Sequence, residues 1–309
     1  MTPAIEFRDV RKRYGRTQAL DGLSFQVSSG SICGLVGSNG AGKTTTMAIA
    51  GGALLRYQGD ISILGERGFD VERLMGRLTM IPQDSELPRY ARVRNVLSYY
   101  ARLQGLTVRE CRESVADVLD WTHLADRAGA TVRSLSHGMK RRVAVAQAFL
   151  GSPELVLLDE PMNGLDPVEK ARIRDLLKSR AGKQTIIISS HNLDEIERVC
   201  DQVLFLEKGR LAAEHSLASL ESGCEVRYQL RRAPENLNVI EALVSGLSCR
   251  VLDEGWLVCR LNSEMDVSDL NQIILGWLLQ QNAGVIRVES GRSLERHYLE
   301  QIHGESESG

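Results

Sequence analysis

Hydrophobic residues along the chain fall into short blocks of two kinds. Residues 5–7 and 23–27 alternate between apolar and polar, which predicts antiparallel strands with one buried face. Residues 155–158, 185–188 and 203–206 are continuous apolar runs, typical of strands that are covered on both faces in a parallel sheet. Helices are predicted around them at residues 95–104, 109–119, 139–150, 167–178 and 194–199. This alternation, up to about residue 213, predicts a doubly wound α/β core.

The pattern changes after about residue 215. Strands are predicted at residues 225–230, 249–253, 256–261 and 285–288, and helices at residues 238–247 and 266–281. The order β-α-β-β-α-β is that of a split βαβ, ferredoxin-like unit. A final helix is expected at residues 292–302, followed by a polar tail at 304–309.

Apolar residues at helical spacing predict which faces of the two C-terminal helices are buried. These residues are Val239, Leu243 and Leu247 in the first helix, and Leu270, Ile274, Trp277 and Leu278 in the second. We therefore expect two domains, residues 1–214 and residues 215–309. The second domain carries no recognisable catalytic motif, so we expect it to make contacts rather than do chemistry.

The composition is that of an ordinary globular protein. The chain has 309 residues, of which 43% are hydrophobic and 25% charged, and its formal net charge is −2. No overall field favours an anionic membrane or nucleic acid, and we expect no nucleic-acid binding. The first residues show no signal segment, and the longest apolar stretch, residues 273–279, is far shorter than the roughly 20 residues of a spanning helix. The six cysteines form no C-x-x-C pair and are expected to be small buried side chains.

Residues 37–44 fill the phosphate-loop template G-x-x-x-x-G-K-[ST]. An apolar run at 32–36 precedes the loop and a helix can begin after it, which is the context that the template requires. Backbone N–H groups of such a loop converge on phosphate oxygens at the positive end of the helix. Lys43 is expected to reach the β- and γ-phosphates, and the Thr44 hydroxyl to bind Mg²⁺. The candidate nucleotide ligands are Gly37, Ser38, Asn39, Gly40, Ala41, Gly42, Lys43, Thr44 and Thr45.

Two further groups of polar residues carry candidate chemistry. Asp159 and Glu160 end an apolar strand, where Asp159 can join the magnesium shell and Glu160 can activate the attacking water. Ser136 and Gly138, at the start of a helix, form a second anion site. The phosphate loop and this second, separate anion site in one chain indicate a ligand that is shared across a dimer. The basic run at 140–142 is interpreted as the solvated face of this helix rather than a nucleic-acid surface.

With these motifs in this order, the chain resembles the ATP-binding subunits of ABC transporters over about residues 5–213. Within that family it is most similar to the ABC-2 type exporter branch. The resemblance implies that Tyr14 stacks on adenine, that Gln83 contacts Mg²⁺ and signals to a membrane subunit, and that His191 senses the γ-phosphate. The helical subdomain would occupy about residues 84–150.

The resemblance also implies a site completed by a second copy. Residues 135–139 match the signature motif, and Asp166 matches the loop that contacts the dimer partner. His137 and Met139 stand where many relatives have glycine and glutamine, but Ser136 and Gly138, which would touch the partner's γ-phosphate, are both present. We read His137 as a tolerated substitution.

The function implied by this resemblance is an ATPase subunit that drives export. Its cofactors would be ATP and Mg²⁺, and its partners a second copy in a head-to-tail homodimer and a separate polytopic transmembrane permease. The permease would dock on the region from Gln83 to about residue 104 and hold the chain peripherally at the cytoplasmic face of the cell membrane. The alternative is a soluble ABC ATPase in assembly, translation or repair. A single cassette and the lack of a heptad run count against tandem translation factors and coiled-coil repair ATPases.

Overall fold

The computed structural model describes residues 3–216, 224–252, 255–261 and 267–290. The helix predicted at 292–302 and the polar tail at 304–309 lie outside these residues. The chain divides into two compact units, Met1–His215 and Ser216–Gly309. Each unit has a hydrophobic cluster of its own.

Strands and helices alternate along the first unit, as the hydrophobic pattern predicts. The strands are Pro3–Tyr14 (β1), Thr17–Ser28 (β2), Ile32–Val36 (β3), Gln58–Ile63 (β4), Glu66–Arg67 (β5), Leu78–Ile81 (β6), Leu155–Asp159 (β7), Thr185–Ser190 (β8), Gln202–Glu207 (β9) and Arg210–Ser216 (β10). The helices are Lys43–Ala50 (α1), Val71–Leu74 (α2), Val93–Leu103 (α3), Val108–Trp121 (α4), His137–Ala148 (α5), Pro167–Lys178 (α6) and Leu193–Glu197 (α7).

The central sheet has the strand order β10-β9-β3-β8-β7-β6. β3, β7 and β8 are buried along their whole length, which is why their sequences are continuous apolar runs. β6, β7, β8, β3 and β9 pair in parallel, so their carboxyl ends meet at one edge. The register places Val36 opposite Ser190 and Asp159 opposite Ser189. That edge therefore brings the loop after β3 close to the polar ends of β7 and β8.

A second, antiparallel sheet in the same unit has the order β2-β1-β4-β5. The predicted antiparallel pairing of β1 with β2 is confirmed, and Phe7 and Phe25 stack across it with ring centroids 4.7 Å apart. Both strands are 12 residues long, although only their most regular parts were predicted. β4 and β6 were not predicted: β4 has only two apolar residues, and β6 has only four residues, too few to show a period.

The helices predicted between β6 and β7 are confirmed. α3 buries Val93, Val96, Leu97 and Ala101 on one face. α4 begins at a capping box, in which the Thr107 hydroxyl accepts from the Glu110 N–H and the Glu110 carboxylate accepts from the Thr107 N–H. α5 starts at His137, two residues before the predicted start, because Ser136 caps it.

The second unit follows the predicted β-α-β-β-α-β order. Its elements are Cys224–Leu230 (β11), Leu237–Leu243 (α8), Leu247–Leu252 (β12), Trp256–Leu261 (β13), Val267–Gln280 (α9) and Val285–Ser290 (β14). The strands form an antiparallel sheet in the order β12-β13-β11-β14. The pairing leaves the first and third strands of the unit central in the sheet.

The buried face of one helix in this unit was predicted wrongly. The predicted residues Val239 and Leu243 are 51% and 67% exposed, and the third, Leu247, belongs to β12. Ile240 and Val244 are buried instead. α8 has only seven residues, so its sequence contains too few turns to fix the phase of the stripe. The stripe predicted for the longer α9, namely Leu270, Ile274, Trp277 and Leu278, is confirmed.

Candidate active site

The loop between β3 and α1 has the backbone shape that the phosphate-loop template predicts. Gly40 and Gly42 have φ angles of +85° and +110°, in the region that side chains with a Cβ avoid. At Gly37 the reason for glycine is space, because a Cβ there would lie 2.4 Å from the Leu206 carbonyl oxygen. The chain therefore turns within six residues from a buried strand into the first turn of a helix.

Lys43, the first residue of α1, is folded back over this loop. Its side chain is buried, and its Nζ donates to the carbonyl oxygens of Gly37 at 2.7 Å and Ser38 at 3.2 Å. Nζ also lies 4.0 Å from a Glu160 carboxylate oxygen. Burial lowers the pKa of Lys43, and the negative charges of Glu160 and Asp159 oppose that change. The ammonium group is thus a cation whose hydrogen-bond acceptors are two neutral carbonyl oxygens, and an anionic ligand can replace them.

Asp159 ends β7 as a buried carboxylate with one oxygen left over. The Ser189 hydroxyl, from the neighbouring β8, donates to its Oδ1. Its Oδ2 is buried and has no hydrogen-bond partner among the described residues. An unpaired buried carboxylate oxygen costs free energy unless a proton donor or a cation satisfies it. Because hard divalent cations prefer oxygen ligands, this oxygen fits a Mg²⁺ ligand.

Glu160 is held in an unusual backbone conformation beside Asp159. Its φ angle is +49°, which costs a residue other than glycine about 1–3 kcal/mol. The backbone holds because the Glu160 N–H donates to the Ser189 hydroxyl at 2.9 Å and its carbonyl accepts from the Arg141 guanidinium. The side chain is 8% exposed and faces His191, whose Nδ1 lies 2.9 and 3.1 Å from the two carboxylate oxygens. Strain maintained by surrounding contacts is typical of functional residues.

The sequence suggested that the basic run at residues 140–142 is a solvated helix face, and the structure shows that this interpretation is wrong. Arg141 donates to the carbonyl oxygens of Pro161 at 2.7 Å, Asp159 at 3.2 Å and Gln83 at 3.3 Å, as well as to that of Glu160. Its guanidinium therefore connects α5 to the segment after β6 and to the end of β7, where the two carboxylates lie. Arg142, the next residue, is also buried.

Ser136 and Asp166 cap the helices α5 and α6. The Ser136 hydroxyl accepts from the Met139 N–H at 3.2 Å. The Asp166 carboxylate accepts from the N–H groups of Val168 and Glu169, both at 3.0 Å. Both cap residues are solvent-exposed, so another molecule can contact them without any local unfolding of this chain.

The starts of α5 and α6 are packed against each other. A Cβ on Gly138 would lie 2.5 Å from the Glu169 Cγ, so any other residue there would displace the Glu169 side chain. The Glu169 carboxylate forms a 3.1 Å ion pair with Arg142 of α5. The segment matching the signature motif and the loop containing Asp166 are therefore coupled mechanically.

The remaining predicted site residues lie on the surface around this cluster. Tyr14 ends β1 with 49% of its surface exposed, and the Lys12 Nζ is 4.9 Å from its ring centroid. The exposed Gln83 follows β6 and is positioned through its carbonyl by Arg141. Thr44 is exposed and Thr45 half-buried in the first turn of α1. Ion pairs and hydrogen bonds, some of them through Ser189, therefore connect Lys43, Asp159, Glu160 and His191. The contacts described for Tyr14, Ser136 and Asp166 are with residues outside this cluster.

Sequence reasoning missed two residues of this site. Ser189 bridges Asp159 and the Glu160 backbone, and its only signal is a pair of serines at the end of an apolar strand. Arg141 was recognised as basic, but the sequence does not show which member of a basic run points inward. Ser189 acts through Asp159 Oδ1 and the Glu160 backbone N–H, and Arg141 acts through backbone carbonyl oxygens, so neither belongs to a recognisable motif.

The fold and this cluster define the class of protein: a glycine-rich loop between a buried strand and a helix, facing an Asp-Glu strand end, is the site of a phosphate-loop nucleotide hydrolase. Residues 20–163 match the family model of ABC transporters. The chain is 36% identical over 284 residues to the Nod factor export ATP-binding protein I of Paraburkholderia xenovorans, covering 87% of this chain and 93% of the relative. To the protein of the same name from Rhizobium etli it is 35% identical over 302 residues, covering 96% and 92%.

Solved structures agree with this assignment. The ATP-binding subunit of an ABC transporter superimposes with a TM-score of 0.63 at 30% identity, over 71% of this chain and 92% of that one. The chain belongs to the ATP-binding subunits of ABC transporters, and it is an ATPase. Within the part of the chain that the structure describes, no helix is long and apolar enough to cross a membrane.

Proposed function

We propose that this chain is the energising subunit of an exporter, in which bound ATP closes two copies head to tail. The observation that carries the proposal is the buried cluster of Lys43, Asp159 and Glu160 at the carboxyl edge of the central sheet. It combines a replaceable cation, an unpaired carboxylate oxygen and a carboxylate held against a histidine. These are the groups that phosphoryl transfer to water needs.

The nucleotide would lie along the phosphate loop, residues 37–45, with its adenine on Tyr14. Lys43 Nζ would exchange its two carbonyl partners for phosphate oxygens. Mg²⁺, which neutralises phosphate charge when bound, fits Asp159, with Thr44 and Gln83 as its other proposed protein ligands. The buried Oδ2 of Asp159 supports this choice, since it has no partner in the described residues.

Glu160 would accept a proton from the attacking water. Its carboxylate is within 3.1 Å of the His191 ring nitrogen through both oxygens, so the histidine fixes its orientation. His191 has half of its side chain exposed, which leaves it free to contact a γ-phosphate on the same side. The arrangement therefore supports Glu160 as the general base and His191 as the group that senses the phosphate.

A second copy would supply Ser136, Gly138 and Asp166 to this nucleotide. α5 has 12 residues and begins at an exposed cap, so its N-terminus can offer N–H groups to an anion. The packing of Gly138 against Glu169 would carry Asp166 along with Ser136 during closure. This coupling supports two composite sites in a head-to-tail homodimer.

Export is proposed from the relatives, which are named Nod factor export ATP-binding proteins. The proposed partner is a separate polytopic permease in the cell membrane, with this chain peripheral at its cytoplasmic face. The exporter function is favoured over an assembly, translation or repair ATPase because these relatives cover most of the chain.

We also propose that residues 215–309 form a ferredoxin-like accessory domain beside an ATPase domain at residues 1–214, with a helical subdomain at about 84–150. The strand order β12-β13-β11-β14, in which the unit's first and third strands are central, supports the ferredoxin-like assignment. The apolar core of this unit supports independent folding.

Recovery of the tagged chain from detergent-solubilised membranes of its native host tests the exporter proposal. We expect a polytopic membrane protein to be recovered with it in a fixed ratio, and ATPase turnover in that complex. The Lys43→Ala variant, purified in the same way, should retain the partner and lose turnover. Recovery of the chain with ribosomes or nucleic acid, and with no membrane protein, would favour the alternative class.

A further inference from the structure

The second unit contains two cysteine side chains that face each other. Cys249 on β12 is the direct partner of Cys259 on β13 in the antiparallel register. Their sulfur atoms are 3.3 Å apart, while both remain free thiols. Cys33, Cys111 and Cys200 are also free cysteines, and all three are buried in the first unit.

The strand pairing already provides the geometry that a disulfide requires. Directly opposed residues of an antiparallel pair have Cα atoms about 4.5–5.5 Å apart. Disulfides span Cα separations of about 4.4–6.8 Å. Cys249 and Cys259 can therefore be joined by side-chain rotation, with no shift of the backbone register.

The two thiols have different surroundings, which suits them to different roles. Cys259 is fully buried in the core of the unit, whereas Cys249 lies half-buried on the edge strand β12. The hydrogen bond between the two thiols lowers the pKa of Cys249 and raises the pKa of Cys259, which burial raises further. Cys249 is thus the accessible nucleophile and Cys259 the protected second thiol.

From this juxtaposition we propose that Cys249 and Cys259 form a redox modification site, which hydrogen peroxide converts into a cross-strand disulfide. The Cys249 thiolate attacks one peroxide oxygen, the O–O bond breaks, and Cys249 becomes a sulfenic acid while the other oxygen leaves and is protonated to water. The Cys259 sulfur then attacks the Cys249 sulfur, the S–O bond breaks, and the hydroxyl leaves with the Cys259 proton as a second water. Two electrons pass from the two sulfurs to the peroxide.

Two features favour the reaction of Cys249 with Cys259 over reaction with another thiol. Cys249 is held in place because its N–H donates to the Glu241 carboxylate of α8. The hairpin also sets an effective concentration for Cys259 that a second molecule cannot match. The reaction is therefore expected to be intramolecular and to be reversed by a dithiol reductant.

Thiol counting on the full-length chain tests the proposal. The protein is treated with hydrogen peroxide, unfolded, alkylated and measured by mass spectrometry. We expect two of the six thiols to resist alkylation, a mass loss of about 2 Da before alkylation that corresponds to two hydrogens, a peptide linking Cys249 to Cys259, and full recovery with dithiothreitol. Cys249→Ala should retain all its remaining thiols, apart from overoxidation, whereas the control Cys111→Ala should still lose two.

Three results with the unsubstituted chain would overturn the proposal. These are six alkylatable thiols after treatment, a disulfide mapped to any other pair, or a disulfide between two chains on a non-reducing gel. Cys249→Ala is preferred to Cys259→Ala for this test because Cys249 is half-buried, whereas Cys259 is part of the buried core of the unit. Persistence of the two-thiol loss in Cys249→Ala would also contradict the assignment.

Discussion

Substitution of Glu169 by glutamine separates the electrostatic coupling of α5 and α6 from their packing. The Arg142 and Glu169 side chains are only 6% and 12% exposed, and their charged atoms lie 3.1 Å apart. Glutamine keeps the shape against Gly138 but leaves the Arg142 charge without its counter-ion. Removing one partner of a buried ion pair costs about 3–5 kcal/mol.

Two other contacts of Arg142 favour the lower end of that range. Its Nη1 donates to the carbonyl oxygens of Thr122 at 2.9 Å and His123 at 3.4 Å, and these partners remain after the substitution. We therefore expect Glu169→Gln to lower the local free energy of unfolding by about 3 kcal/mol. At about 1.4 kcal/mol for each factor of ten, amide hydrogen exchange in α5 should accelerate about 150-fold.

Hydrogen exchange read peptide by peptide suits this chain because it reports on the first unit separately from the second. The control is Arg172→Met, which removes the other cation that contacts Glu169. Arg172 is 52% exposed, so its loss should cost less than about 1 kcal/mol. Less than about a threefold acceleration in Glu169→Gln would show that the buried pair does not hold the two helices together.

Three further predictions concern the site and the second unit. Glu160→Gln should bind ATP normally while turnover falls by about 10²–10⁴-fold, as expected for the loss of a general base; steady-state hydrolysis measures this, and undiminished turnover would assign the base elsewhere. Ser189→Ala removes the hydroxyl that holds both Asp159 and the Glu160 backbone, so the Mg²⁺ concentration for half-maximal turnover should rise; an unchanged Mg²⁺ dependence would contradict the bridging role. Truncation after residue 213 should leave ATP affinity intact and weaken dimerisation or recovery of the membrane partner; loss of affinity from a well-folded truncation would place a nucleotide contact in the second unit.

Features fixed by local chemistry could be predicted from the sequence. The phosphate loop needs glycines where φ is positive or where another part of the backbone approaches closely. These requirements are visible in the sequence as glycines at fixed spacing. Buried parallel strands appear as apolar runs because both of their faces are covered. For the same reason Asp159, at the end of such a run, could be predicted to lie at the carboxyl edge of the central sheet.

Features fixed by tertiary contacts could not be predicted. Which residues of the 140–142 run point inward depends on where Gln83 and Glu160 lie, and no helical period reports that. The facing of Cys249 and Cys259 depends on the register of a hairpin, since a shift by one residue would separate them.

If a second copy completes the nucleotide site, Ser136→Asp in a Glu160→Gln background should prevent ATP from closing the dimer. Aspartate is as good a helix cap as serine, so α5 should remain intact, but its charge would repel a γ-phosphate bound by the other copy. In sedimentation velocity with ATP and Mg²⁺, Glu160→Gln should form dimers and the double variant should remain monomeric, with equal ATP affinity for both. ATP-dependent dimers of the double variant, or monomers of ATP-saturated Glu160→Gln, would show that a second copy does not complete the nucleotide site.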